Sequence, residues 1–261
     1  MTNKPLAIIT GGTSGIGFSI AQALFETYEL ALIYRGNEAK ALEAQNKLKG
    51  ISCYKCDIAQ YDLLAKTYAQ IKFDFKKSPK VLINSAGVAS RNLFSQESAI
   101  KIKSIVEINL LGTMYMTQLV LKDMYSEKEG KIINISSIAG LGGYVGMSVY
   151  GASKAGLDAF TRSVASEVGH RNIQINTIRP GLVQTEMTRT TVEETSKIVS
   201  GLKKNQGINA PYGEYIRPEA VSGMVRFLIE APNISAINGS DITIDGGSSV
   251  FRNQIKLSDY D

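Results

Sequence analysis

The chain has 261 residues, 44% hydrophobic and 20% charged, enough to bury the core of one large α/β unit in a balance ordinary for a soluble globular protein. Its net charge of +5 is dispersed, and the densest basic run, Lys72 to Lys80, is broken by Asp74 and Pro79, so it reads as a solvated helix end and not as a nucleic-acid patch. His170 is the single histidine and Cys53 and Cys56 are the only cysteines, which excludes a multi-histidine metal centre and argues against a Ser-His-Asp triad; no metal is expected.

The first apolar run, Leu6–Thr10, reads as a strand and starts almost at the N-terminus, which leaves no room for a leader peptide. No apolar run approaches the roughly 18 residues that span a bilayer, so no membrane insertion and a cytoplasmic location are expected. The strand runs into Thr10-Gly11-Gly12-Thr13-Ser14-Gly15-Ile16-Gly17 and a helical pattern near residues 16–27. Glycines in a strand-to-helix turn let backbone N–H groups and a helix N-terminus approach a pyrophosphate. The spacing is GxxxGxG, which departs from the ordinary GxGxxG dinucleotide fingerprint. The second strand, Leu30–Tyr34, ends at Arg35-Gly36-Asn37. A carboxylate there would bond a ribose 2′-OH, whereas an arginine accepts a 2′-phosphate. Arg35, with Ser14 as an added hydroxyl donor, therefore points to NADPH/NADP over NAD, and Glu38 is the nearby acid that complicates the choice. A helical pattern covers residues 38–48. In the third strand, Ile51–Cys56, the two cysteines are three apart and face opposite ways, which disfavours a shared metal or a disulfide. Asp57-Ile58 come next; Asp57 either meets an adenine edge or caps the next helix, and the two roles are compatible.

A helical pattern near 60–74 leads to the fourth strand, Val81–Asn84, and to Asn84-Ser85-Ala86-Gly87. In the amphipathic stretch 98–124, Ile102, Ile105, Val106 and Asn109 form an i, i+3, i+4, i+7 stripe that puts Asn109 on the core face, where a buried amide needs partners. The fifth strand, Lys131–Ser136, is followed by Ser137, the apolar glycine-rich loop Leu141–Met147 and a helix over 149–169. There Tyr150 and Lys154 stand at i and i+4, about 5–6 Å apart on one face. An ammonium beside a phenol favours the phenolate, so the Tyr150 pKa is expected to fall from about 10, making the tyrosine an acid or base near neutral pH. Strand Gln174–Ile178 leads to Pro180-Gly181-Leu182-Val183-Gln184-Thr185. The irregular connection 181–215 has the length of a substrate lid. A helix over 217–230, a strand Ile242–Ile244 and a short tail, 251–261, complete the chain. Alternating strands and helices with no repeat or linker predict a single α/β domain over 1–261: a doubly wound parallel sheet of about seven strands with helices on both faces.

TGxxxGxG, NSAG, Asn109, Ser137, YGASK and PGLVQT, in this order, resemble the short-chain dehydrogenase/reductases, over about residues 5–250. INISSIAG, SVYGASKAGL and INTIRPGLVQTEMT look, more narrowly, like the 3-oxoacyl-acyl-carrier-protein reductases and related carbonyl reductases. The resemblance implies a Rossmann-type fold and NADPH-dependent reduction of a carbonyl. Tyr150 would give the proton, Lys154 would lower its pKa and bond the nicotinamide ribose, Ser137 would stabilise the carbonyl oxygen, and Asn109 would hold a water of a proton relay. Gly11, Thr13, Ser14, Gly15, Ile16 and Gly17 would receive the pyrophosphate, and Arg35, Asp57 and Ile58 the adenosine end. Asn84, Ala86 and Gly87 would flank a ribose, with Tyr150, Lys154, Pro180, Gly181, Val183 and Thr185 around the nicotinamide half. Ser14 replaces an arginine often seen in NADPH-dependent relatives, and Ser85 replaces an asparagine or alanine. Ser137 and Leu141 would touch a 3-oxoacyl thioester, while Lys128 and Arg171 match basic residues that dock an acidic acyl carrier protein. The small-residue helix around Gly151, Ala155 and Gly156 implies a subunit interface, usually of a homotetramer. The competing readings are a reductase of another ketone, polyol or steroid, a nonreductive epimerase or dehydratase, and a noncatalytic nucleotide-binding scaffold.

Overall fold

The computed structural model describes residues 4–190 and 213–250; the tail 251–261 and most of the expected lid lie outside the described residues. Strands β1 (Leu6–Thr10), β2 (Glu29–Tyr34), β3 (Ser52–Lys55), β4 (Pro79–Asn84), β5 (Gly130–Ile135), β6 (Ile173–Pro180) and β7 (Asp241–Ile244) form one sheet in the order β3-β2-β1-β4-β5-β6-β7. Every pairing is parallel. Successive side chains of a strand alternate between faces, and β1 shows the consequence: Leu6 and Ile8 enter one core layer, Ala7 and Ile9 the other, all fully buried. A sheet covered on both faces needs the near-continuous apolar strands seen here.

Helices α1 (Gly15–Leu24), α2 (Glu38–Lys47) and α7 (Pro218–Glu230) cover one face. The Ser19 hydroxyl of α1 donates to Ser222 of α7 at 3.1 Å. Helices α3 (Tyr61–Phe75), α5 (Gly112–Glu127) and α6 (Ser148–Val168) cover the other, through Leu64, Ile71, Met116, Val120, Val164 and Val168. Cys53 packs on the first layer and Cys56 on the second; both thiols are free, as their strand spacing predicts.

Residues 98–124 are not one regular helix. Helix α4 (Ala99–Val106) passes through a π-helical turn, Glu107–Leu111, before α5 begins. The wider turn rotates α5 relative to α4, so Ile108 and Asn109 are both buried while Ile102 and Val106 are only half-buried. By length and composition Ala99–Glu127 can cross a membrane, at a mean hydropathy of 1.2, but half of that window is packed inside the protein. The sheet order reverses between β1 and β4. Ligand crevices in such Rossmann-type sheets open beyond the carboxyl ends of the strands at this switch point.

Candidate active site

At that position a cleft opens in two adjoining lobes of about 460 and 350 Å³, which share Gly11, Ser14, Lys40, Ala86 and Gly87. The chain leaves β1 through Gly11 in a left-handed turn at φ +66°, and a Cβ there would lie 2.9 Å from the Ala86 Cα. At Gly17 a Cβ would stand 2.3 Å from the Gly11 carbonyl oxygen. Only glycines bring the turn, α1 and the exit of β4 this close. Ser14 is the N-cap of α1, yet its side chain makes no capping bond, and the first turn holds no acidic residue. The helix N-terminus is open to an anion through its amides and dipole.

The second lobe is lined by Thr13, Arg35, Asp57 and Ile58. Arg35 is exposed at the lip. Glu38 is turned away, its carboxylate 2.6 Å from the Lys55 ammonium, and it lines neither lobe. Asp57 accepts from the Ala59 N–H at 3.0 Å, while Gln60 is the N-cap of α3; Asp57 closes a turn at the cleft and does not cap the helix.

The first lobe holds Ile16, Gly17, Ser137, Tyr150, Lys154, Pro180, Gly181, Val183 and Thr185, with Gly15 at the junction of α1. Ser137 comes after β5 at the start of a short 3₁₀ turn, Ile138–Gly140, and its Oγ accepts from the Ala139 N–H at 3.1 Å. Ser136 lines the same lobe, but its Oγ donates to the Lys154 carbonyl at 3.3 Å. Lys154 is 5% exposed. Its Nζ donates to the Ile135 carbonyl at 2.8 Å and lies 5.8 Å from the centroid of the Tyr150 ring.

This geometry corrects the expected fall in the tyrosine pKa. Burial disfavours the phenolate and raises the Tyr150 pKa above its ordinary value, against the opposing hydrogen bond from Ser137. Burial also pushes Lys154 down to about 8, partly offset by the Asp158 carboxylate. Desolvation favours the neutral form of each group and outweighs the opposing contributions of Ser137 and Asp158. The phenol keeps its proton well above neutral pH, so it can act as a proton donor, while the ammonium is the group that discharges first. A rate that depends on this pair should therefore stay level up to about pH 8 and fall above it as Lys154 loses its proton. Initial rates at low coenzyme concentration check this; a first break near the ordinary lysine range would show that burial does not control Lys154.

Asn109 is fully buried but lines neither lobe. Its Oδ1 accepts from the Val88 N–H at 2.8 Å, and its Nδ2 donates to the Val88 carbonyl at 2.9 Å and to Ser153 Oγ at 3.1 Å. The side chain thus clamps the segment after β4 to α6, one residue before Lys154. Asn84, expected beside a ribose, instead donates from Nδ2 to Asn134 Oδ1 at 2.9 Å and to Thr117 Oγ1 at 3.2 Å inside the sheet layer. As the last residue of β4 it pairs in register with Asn134 of β5, and that register turns its amide along the sheet. Leu141 is 47% exposed outside both lobes. Lys128 ends α5 and Arg171 precedes β6. Both are at the amino ends of strands, away from the cleft, because the parallel sheet sends each helix back to the opposite edge.

The residues suit a nicotinamide dinucleotide. The α1 terminus and Arg35 offer two phosphate positions, and Gly87 leaves open the space beside Lys154, where a Cβ would lie 3.6 Å from Nζ. Lys40 and Glu186 also line the cleft. Lys40 belongs to none of the motifs, and Glu186 stands inside INTIRPGLVQTEMT, where the family resemblance gives it no role; the two meet as an ion pair.

The family model described as short chain dehydrogenase matches residues 5–196. Carbonyl reductase family member 4 of Xenopus laevis is 34% identical over 92% of this chain and 95% of that protein. The 3-oxoacyl-[acyl-carrier-protein] reductase FabG of Aquifex aeolicus (strain VF5) is 32% identical over 93% of this chain and 96% of its own. The crystal structure of a point mutant of actinorhodin polyketide ketoreductase with NADPH superimposes at a TM-score of 0.88 and 28% identity, covering 95% of this chain and 98% of that one.

Proposed function

Because the chain belongs to the short-chain dehydrogenase/reductase family of oxidoreductases, we propose that it reduces a 3-oxoacyl thioester, carried by acyl carrier protein, to the 3-hydroxyacyl thioester with NADPH. The observation that carries this reading is the joint placement of Ser137, Tyr150 and Lys154 in one lobe of a cleft whose other lobe ends at Arg35. Bound NADPH supplies the hydride. Ser137 Oγ donates a hydrogen bond to the substrate carbonyl oxygen and holds it against the phenol. Tyr150 Oη passes its proton to that oxygen as negative charge develops there. Lys154 Nζ, still charged below about pH 8, bonds the ribose hydroxyls and steadies the phenolate left behind. Asn109 positions Lys154 through Ser153.

Exposed apolar side chains support an apolar acyl substrate: Met187, which lines the first lobe, and Leu141 and Val145 in the loop between Ser137 and Tyr150 are 43%, 47% and 63% exposed. Relatives named as 3-oxoacyl reductases support the thioester. Lys128 and Arg171 do not stand beside the cleft of their own chain, so a carrier held by them would reach a cleft only on another subunit of a homotetramer. The carbonyl reductase relatives favour the second reading, reduction of another ketone.

The test is loss of NADPH absorbance with acetoacetyl-CoA, run beside NADH and a panel of simple ketones. Thioester turnover with NADPH is expected. Saturable ketone turnover with no thioester turnover would transfer the assignment to the second reading. In the same assay Arg35→Asp should weaken NADPH binding about tenfold or more, by replacing a charge-assisted contact with repulsion, and should leave NADH nearly unaffected. Unchanged NADPH affinity would show that another group reads the phosphate.

A further inference from the structure

Lys40 lies in the first turn of α2, where its N–H donates to the Asn37 side chain at 3.0 Å. Its side chain lines both lobes of the cleft. It shares the second lobe with Arg35 and both lobes with Ser14, the N-cap of α1. The ammonium pairs with the carboxylate of Glu186, which comes from the segment after β6 and lines the first lobe. The ion pair therefore joins α2 to the segment after β6 within the first lobe. A cation at the junction of two dinucleotide lobes faces the phosphates of such a ligand, whereas Glu186 can only accept hydrogen bonds and repels an incoming anion. The two side chains are 33% and 61% exposed, so water weakens the pair and leaves it exchangeable.

We propose that Lys40 binds a phosphate group of the coenzyme and that Glu186 is its counter-ion in the free protein, given up when the dinucleotide enters. This rests on the reading of the cleft as a dinucleotide site. It adds an intramolecular competitor: the carboxylate holds the cation that the phosphate needs, so coenzyme affinity is set below what the cations alone would provide. Removing the competitor should tighten binding, an effect that a purely structural ion pair would not produce.

The test is equilibrium titration of the full chain with NADPH and with NADH, followed by coenzyme fluorescence, for wild type, Lys40→Gln, Glu186→Gln and the double variant. Thermal unfolding checks that each variant is folded. Lys40→Gln should weaken binding about tenfold. Glu186→Gln should tighten it about twofold to fivefold, a gain that shrinks in the double variant. Weakening confined to NADPH assigns Lys40 to the ribose 2′-phosphate, and equal weakening of both coenzymes assigns it to the pyrophosphate; either supports the inference. Unchanged affinity for both coenzymes in Lys40→Gln, or no gain in Glu186→Gln, would overturn it with the dinucleotide site intact. Failure of the wild type to bind either coenzyme would instead overturn the reading of the cleft.

Discussion

Tyr150→Phe is expected to lower kcat by about 10²–10⁴, the range for loss of a positioned general acid, while coenzyme affinity changes little. The substitution keeps the ring and removes only Oη. Burial holds the proton on this phenol, which is the state a reductase needs before each turnover. Ser137 and Lys154, which share its lobe, are poor substitutes. Ser137 has a far less acidic hydroxyl, and the Lys154 ammonium is directed to the Ile135 carbonyl at 2.8 Å. Single-turnover rates with saturating coenzyme, alongside a binding titration, separate chemistry from affinity. An unchanged rate would remove Tyr150 from the proton transfer and leave the cleft without an assigned acid.

Asn109→Ala should cost about 2–4 kcal/mol of stability and slow turnover as well. The amide bonds both backbone groups of half-buried Val88 and the hydroxyl of Ser153, which also donates to the Tyr150 carbonyl at 2.7 Å; truncation takes these partners from Val88 and Ser153, at roughly 1–3 kcal/mol for each group that water cannot reach. Ser153 adjoins Lys154, so a looser α6 moves the ammonium with it. Urea unfolding and steady-state kinetics on the same preparation check both effects. A fall in kcat with an unchanged unfolding midpoint would return Asn109 to the water relay that the family resemblance implies and deny it the clamping role.

Much of the site was legible because its residues are local in the chain. The glycine turn after β1, the Arg35 turn after β2 and the Tyr150–Lys154 pair each lie within a few residues, and strand or helix periodicity then decides which way the side chains face. The stripe through Asn109 correctly put that residue in the core, although the π-helical turn at Glu107–Leu111 altered the burial of its neighbours. Asn84 was placed beside the coenzyme because it adjoins Ala86 and Gly87, whereas its register with Asn134 draws it into the sheet. Lys128 and Arg171 match carrier-docking positions only through the family resemblance, and nothing in their local context says at which end of a strand they fall.

The sequence by itself determined the alternation of strands and helices, the two-faced parallel sheet and several of the side chains that line the cleft, and its ordered motifs carried the family resemblance. The fold features stem from apolar periodicity and glycine at turns, which act over short stretches of chain. The tertiary structure decided the direction of the Tyr150 and Lys154 pKa shifts, the clamping partners of Asn109 and the meeting of Lys40 with Glu186. Each depends on burial or on contact between segments far apart in the chain. Desolvation is the sum of everything packed around a group, and across the separation of 146 residues between Lys40 and Glu186 no local signal shows that the sheet will fold them together.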